Sequence, residues 1–293
     1  MLSAVVSSAR ERGEEAVVVT FWPHPRTVLQ QDAREFRILT SLEEKKALLA
    51  AAGIDRVEVL PFTREFAAMT AQEYLQLLRD KYDASLVVMG YDNRIGSDRL
   101  TIDALTGAFE SRKPSSLRSL SLPTSLRAVG PLPFTWPRAA MVSEDSNAPV
   151  ISSTKIRKAL QEGRVEEANG MLGYRYELYG AVVAGNRVGR TMGFPTANMQ
   201  LYEPLKLVPA NGVYAVEAEV LGTTYKGMCN IGMRPTVGGA SRTIETHILD
   251  FDQDIYGLPL RIRFLRRIRD ERKFPSLEAL REQLTLDALK CKK

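Results

Sequence analysis

Hydrophobic and polar positions fall into two regimes along the chain. In the first half, short unbroken apolar runs alternate with stretches of helical period. Ala16–Phe21 is one such run, bounded by turn signals, and is expected to be a strand buried on both faces of a parallel sheet. Arg56–Phe62 and Ser85–Gly90 are expected to be the next two strands. Helices are expected from Met1 to about Glu15, from Ser41 to Ala52, and from Thr70 to Lys81. Ser41 stands as an N-cap, with Glu44 three residues on completing a capping box. Strand and helix in alternation are the rhythm of a parallel α/β sheet.

The second half changes period. Ser153–Leu160 and Val165–Leu172 read as short helices separated by Glu162-Gly163, and Gly173 marks a boundary. Strands are then expected at Tyr176–Val183, Gly212–Val220, Thr223–Ile231, Thr243–Asp250 and Leu260–Ile268. Short strands with Gly, Asn and Pro turns argue for a closed antiparallel barrel. In the last of them Leu260, Ile262 and Phe264 alternate with Arg261 and Arg263, giving one dry face and one wet face. The basic run Arg261–Lys273 is therefore expected to be a solvated strand face rather than a nucleic-acid patch. Ser276-Leu277-Glu278-Ala279 opens a C-terminal helix with Leu277, Leu280 and Leu284 on one stripe.

Composition narrows the class. At 293 residues, 44% hydrophobic and 26% charged, the chain is long enough for two globular domains. The 40 Lys and Arg against 35 Asp and Glu leave a net charge of +5, which suits anionic ligands. Cys229 and Cys291 make no disulfide framework, so a reducing cytoplasm is expected. No run reaches the length of a membrane span and no signal peptide is seen, so no membrane partner is expected, and the solvated-strand reading of Arg261–Lys273 leaves no nucleic-acid partner expected. Residues 111–140 are rich in Ser, Pro and Arg and contain no acid. They read either as a flexible basic loop or as a locally shifted reading frame, and in both cases the sheet is expected to lose a strand there.

The chemistry concentrates in Gly185–Asn198. Gly185, Gly189 and Gly193 let the backbone come close to something bulky and turn its N–H groups inward, a nest for phosphate oxygens without a helix N-terminus. Phe194-Pro195 stiffens the exit. If the chain is extended beyond it, Thr196 and Asn198 place a hydroxyl and an amide oxygen on one face. Neutral oxygens beside phosphate suit Mg²⁺, which takes few protein ligands. An ordinary glycine-rich hairpin running into a strand has the same spacing.

The full string Gly185-Asn186-Arg187-Val188-Gly189-Arg190-Thr191-Met192-Gly193-Phe194-Pro195-Thr196-Ala197-Asn198 resembles the signature of riboflavin kinases. Asn211–Val216, Asn230–Thr236, Glu245–Phe251, Tyr256-Gly257 and Arg269–Phe274 continue the resemblance in order. Phe62–Ala67, Gly90–Gly96 and Ile151–Arg157 look like the adenylyltransferase half of the bacterial bifunctional riboflavin kinase/FAD synthetases. The resemblance implies an α/β, Rossmann-like nucleotidyltransferase domain over 1–168. A six-stranded antiparallel barrel closed by a C-terminal helix, the riboflavin kinase domain, is implied over 169–293. It also implies ATP and riboflavin as substrates and FMN as product.

By the same resemblance, Gly185, Gly189, Arg190, Gly193 and Phe194 line the phosphate loop, Thr196 and Asn198 hold Mg²⁺, and Glu245 is the base. Arg269, Glu271 and Phe274 lie near the flavin. Ser152, Ser153, Thr154 and Arg157 hold nucleotide phosphates in the first half, although a plain helix N-cap would look alike. The chain also departs from the family. Its two histidines, His24 and His247, stand in no His-x-Gly-His motif, and the first strand and loop of the adenylyltransferase sheet are missing. Trp22 replaces an aspartate, and Asn93 and Ile95 replace aromatic residues. FMN adenylyl transfer is therefore expected to be lost or impaired. The alternatives are a fully bifunctional enzyme and a non-catalytic flavin- or nucleotide-binding barrel. His247 is expected to be structural, having no second ligand at metal spacing.

Overall fold

The computed structural model describes residues 2–29, 36–90, 93–101, 126–128, 138–142, 151–185, 188–236 and 239–292. Tyr91 and Asp92 of the Gly90–Gly96 motif, and Asn186 and Arg187 of the glycine stretch, lie outside them. The chain folds as two compact units, one of Met1–Phe36 with Leu42–Pro149, the other of Arg37–Ser41 with Val150–Lys293.

The first unit contains α1 (Leu2–Arg12), β1 (Val17–Trp22), α2 (Pro25–Leu29), α3 (Leu42–Ala51), β2 (Arg56–Pro61), α4 (Arg64–Ala67), α5 (Ala71–Tyr82), β3 (Leu86–Gly90), β4 (Leu126–Ala128) and β5 (Arg138–Val142). A capping box starts α5: the Thr70 hydroxyl accepts from the Glu73 amide, and the Glu73 carboxylate accepts from the Thr70 amide at 2.7 Å. Ala9 of α1 and Leu49 of α3 share a core with Val18 and Val57, whereas Leu75 and Leu78 of α5 pack with Val19 and Met89. Successive residues of β1 thus serve opposite faces, as a parallel strand requires.

Two expectations are corrected here. In β1 only Thr20 is buried and its neighbours are half-buried. The reason is that, among the described residues, β1 pairs with β2 alone, β3 belongs to a separate sheet in the order β3-β5-β4, and a cleft of about 1510 Å³ is lined by Val17–Val19 and Leu86–Met89. Second, the 111–140 stretch does not cost β3 its neighbour. Arg138–Val142 pairs with it in parallel, from Leu86↔Arg138 to Gly90↔Val142, using the uninterrupted apolar residues Ala139 to Val142. Apart from 126–128 and 138–140, that stretch lies outside the described residues.

The second unit holds α6 (Ser153–Gln161), α7 (Val165–Leu172), β6 (Glu177–Val183), α8 (Val188–Thr191), β7 (Ala197–Leu201), β8 (Gly212–Val220), β9 (Thr223–Thr236), β10 (Gly239–Ile248), β11 (Pro259–Arg269) and α9 (Leu277–Lys292). The strands close a barrel in the order β10-β7-β6-β11-β8-β9, leaving no open edge. Leu178, Tyr214, Val216, Ile231, Leu260, Ile262 and Phe264 fill it, and Ile156, Leu160 and Val165 join the same core from α6 and α7. The sequence boundary at 168/169 falls on a tie between helix and barrel. Asn169 donates to the Phe264 carbonyl at 2.9 Å and accepts from the Tyr176 amide at 2.7 Å.

On the wet face of β11, Arg263 pairs with Glu219 at 2.6 Å and with Glu177, which Arg261 also reaches. Farther along, β11 carries two register shifts against β8, at Phe264/Arg266 and Arg267/Arg269. These bulges send Leu265 and Ile268 to a second core on the barrel's outer face, with Val213, Ala215, Met228, Leu249, Phe194, Leu284, Ala288 and Cys291. Helix α9 seats on that core. Its contact face corrects the expected stripe: Leu277 is 60% exposed, and Leu284, Asp287, Ala288 and Cys291 face inward. They follow the i, i+3, i+4, i+7 spacing one turn farther along.

Candidate active site

Each glycine of the loop is glycine for a separate reason. A Cβ on Gly185 would lie 2.1 Å from Asn198 Nδ2, and one on Gly189 would lie 2.2 Å from the Phe194 carbonyl oxygen. Gly193 has φ 81°, in the left-handed region. The expected nest without a helix is corrected, because Val188–Thr191 forms one helical turn. The Phe194 amide donates to Gly189 O at 2.8 Å and the Gly193 amide to Arg190 O at 3.2 Å, so both N–H groups are engaged within the loop. Arg190 is exposed. The loop's exit is clamped by His247, whose Nδ1 is 2.8 Å from Pro195 O and whose ring meets Phe194 edge-on at 5.2 Å. That is a structural histidine.

Beyond the clamp the chain enters strand β7 at Ala197, which meets the condition under which Thr196 and Asn198 share a face. Thr196 lies beside Gly189, buried Ala197 opens β7 and points into the barrel, and Asn198 follows it on the outer side. Asn198 pairs with Glu245 across β7–β10, and Glu245 pairs with Asn230 across β10–β9. Directly opposed residues share a face with Cβ atoms about 5 Å apart. Asn198, Glu245 and Asn230 therefore form one polar row outside the barrel. The alternate row of Ala197, Thr246 and Cys229 is buried, and burial pushes the Cys229 thiol up to about 12. The row continues over Gly232, where a Cβ would meet Glu271 Oε1 at 2.2 Å and Asn230 Nδ2 at 3.3 Å. Asn211 Nδ2 donates to Glu271 Oε2 at 3.4 Å.

Arg269 leaves the second bulge facing α9. Its Nε donates to Asp287 Oδ2 at 2.7 Å, and its guanidinium lies 5.5 Å from the Phe274 ring. Arg272 covers the same ring at 4.8 Å. Five predicted site residues, Asn198, Glu245, Arg269, Glu271 and Phe274, thus stand on connected elements, with Thr196 and the glycine loop adjoining Asn198.

The Ser152 group stands apart. The Ser152 hydroxyl caps α6 by accepting from the Lys155 amide at 3.3 Å, Ser153 and Thr154 begin the helix, and Arg157 Nε donates to Arg37 O at 3.1 Å. Sequence reasoning missed Asn230, Gly232 and Asn211 as site residues, although they lie in the quoted motifs. It also missed Asp287, whose one signal is a carboxylate at i+3 from Leu284 on the apolar side of α9.

Among the described residues no group of three or more His, Cys, Asp or Glu side chains could hold a metal. The Thr196 hydroxyl and Asn198 amide oxygen, beside the Glu245 carboxylate, are hard oxygen donors. They fit Mg²⁺, which retains most of its water, and not a soft cation.

Comparison with known proteins matches residues 172–293 to the riboflavin kinase family model and 1–119 to that of FAD synthetase. The bifunctional riboflavin kinase/FMN adenylyltransferase of Bacillus subtilis is 33% identical over 283 residues, 95% of this chain and 82% of that protein. The Listeria monocytogenes protein of the same name is 35% identical over 97% of this chain and 85% of its own, and that of Escherichia coli 33% over 99% and 85%. A solved structure called a macrolide-efflux protein, from Streptococcus pneumoniae, is 32% identical with a TM-score of 0.82, covering 100% of this chain and 88% of that one. In the present chain no described helix is long and apolar enough to cross a membrane.

Proposed function

Because the chain belongs to the bifunctional riboflavin kinase/FMN adenylyltransferase family, we propose that its outer-face barrel site, within 169–293, transfers the γ-phosphate of ATP to the 5′-hydroxyl of riboflavin, giving FMN. The observation that carries the site assignment is the row Asn198–Glu245–Asn230, which sets a carboxylate between the glycine loop and the Glu271 loop. Glu245 takes the hydroxyl proton as the phosphoryl group moves. Thr196 and Asn198 would hold Mg²⁺, which when bound neutralises phosphate charge. Gly185, Gly189 and Gly193, with Arg190, shape the loop over the phosphates, and Phe194 fixes its exit on His247. Arg269, Glu271 and Phe274 frame the flavin. Ser152, Ser153, Thr154 and Arg157 are assigned to nucleotide phosphates of the adenylyl reaction.

We propose that this second reaction is impaired in the chain. The support lies within the chain: Trp22 stands where the family it resembles has an aspartate, and Asn93 and Ile95 stand where that family has aromatic residues. The free, buried thiols of Cys229 and Cys291 favour a cytoplasmic setting.

The test is an end-point assay with riboflavin, ATP and Mg²⁺, separating FMN from FAD by chromatography. FMN without FAD supports the proposal, and FAD overturns the impaired second reaction. Neither product, from folded protein, would favour a binding barrel. Glu245→Gln is expected to leave riboflavin binding intact and to lower turnover by about 100-fold or more. Unchanged turnover removes Glu245 as the base.

A further inference from the structure

The carboxylate of Asp287 is fully buried, on a helix that no sequence motif of the site includes. Its two oxygens hold two side chains: Oδ2 accepts from Arg269 Nε and Oδ1 from Gln283 Nε2, both at 2.7 Å. Gln283 in turn accepts from Arg272 through Oε1. Arg269 and Arg272 are the two cations that flank Phe274, at 5.5 and 4.8 Å. Arg269 also donates through Nη1 to the Asp270 carbonyl at 2.9 Å, fixing the first peptide of the turn. Between these anchored residues lies Glu271, whose carboxylate reaches Asn211 and rests over Gly232 beside Asn230. One buried carboxylate on α9 therefore sits at the root of every described anchor of the 270–274 turn to that helix.

We propose that Asp287 is a positioning residue for flavin recognition: through Arg269 directly, and through Gln283 and Arg272, it sets the turn that carries Glu271 and Phe274. The proposal rests on the kinase reading above for the identity of the flavin, and on the hydrogen bonds for the linkage. A carboxylate is needed because it accepts on both oxygens at once, whereas an amide offers one acceptor and one donor. A buried charge opposite Arg269 also holds the guanidinium in a fixed orientation, which a neutral partner does less strongly.

The variant to make is Asp287→Asn, which keeps size and shape and loses one acceptor and the charge. Steady-state kinetics are expected to show the KM for riboflavin raised about tenfold, a loss of roughly one decade in binding. The kcat at saturating riboflavin and the KM for ATP should stay within about twofold. Gln283→Met cuts only the branch to Arg272 and is expected to raise the same KM by a smaller factor. A general weakening of the fold would instead lower kcat and disturb ATP and riboflavin together, and that result overturns the proposal, as does an unchanged riboflavin KM in both variants. Quenching of riboflavin fluorescence supplies the same comparison without turnover. Wild-type protein that quenches but makes no FMN refutes the kinase reading and leaves the positioning role to be decided by the variants' affinities. Wild-type protein that does neither overturns both. If Asp287→Asn fails to fold, Gln283→Met with unchanged riboflavin affinity overturns the proposal by itself.

Discussion

Gly185→Ala tests the metal assignment without touching a proposed ligand. The new Cβ would stand 2.1 Å from Asn198 Nδ2 and 2.5 Å from its Cγ. Ordinary contact begins near 3.5 Å, so the carboxamide must retreat by about 1.4 Å. It is the end of a short side chain and can turn away, so the stability cost should be about 1 kcal/mol, at the low end of overpacking. The melting temperature of a domain this size then falls by about 2–4 °C. Function is more sensitive, because a misplacement of about 1 Å can cost on the order of 100-fold in rate. FMN formation, assayed by chromatography across a Mg²⁺ titration, should fall by about that factor, with half-saturating Mg²⁺ raised and riboflavin affinity unchanged. Gly193→Ala is the comparison. No atom lies within 4 Å of its Cβ, but φ 81° strains it by about 1–2 kcal/mol, so it should lose stability with no change in Mg²⁺ dependence. If Gly185→Ala turns over within about threefold of wild type with the same Mg²⁺ requirement, Asn198 is not a metal ligand.

Two other predictions address the fold. Hydrogen bonds from Arg10 and from the Ala16 amide hold the Asp55 carboxyl down at about 2, from 3.8. A depressed value stabilises the folded state above pH 3.8, and this is lost as pH falls through about 2. Asp55→Asn should flatten the acid limb of a stability–pH curve in that window and leave the neutral limb parallel to wild type; superimposable acid limbs would contradict the pairing. Burial pushes the thiols of Cys229 and Cys291 up to about 12 and about 11. Alkylation near pH 8 should label neither until the chain is denatured. Labelling of native Cys291 would mean that the end of α9 is not docked.

The second unit was the more legible in sequence because its strands alternate cleanly and its loop chemistry is local. Gly212–Val220 and Val165–Leu172 were bounded as they fold. β7 carried little strand signal, being five residues without a β-branched side chain. Glu245 was found through its motif. Its neighbours Asn198 and Asn230 were separated from it in sequence, and only the ladder register of β10 makes the three a row. Asp287 was invisible for a different reason: on a helix the seat is set by what it packs against, and the bulges of β11 move that seat a turn beyond the leucine stripe. In the first unit, the apolar run of β1 looked like a fully covered strand, because sequence shows how apolar a strand is but not whether neighbours flank it on both edges.

The two bulges of β11 imply that the stretch from Phe264 to Arg269 is sensitive to residue count more than to residue identity. Leu265 and Ile268 are the supernumerary residues by which β11 exceeds β8, and each resets which side of the barrel its successors face. A conservative exchange at either position keeps that arithmetic, whereas a single-residue deletion would turn Arg269 away from α9 and expose the helix seat at one stroke. Across relatives this segment should therefore tolerate changes of letter and refuse changes of length, so an alignment gap placed there would mark a misaligned sequence or a barrel that has lost its C-terminal helix.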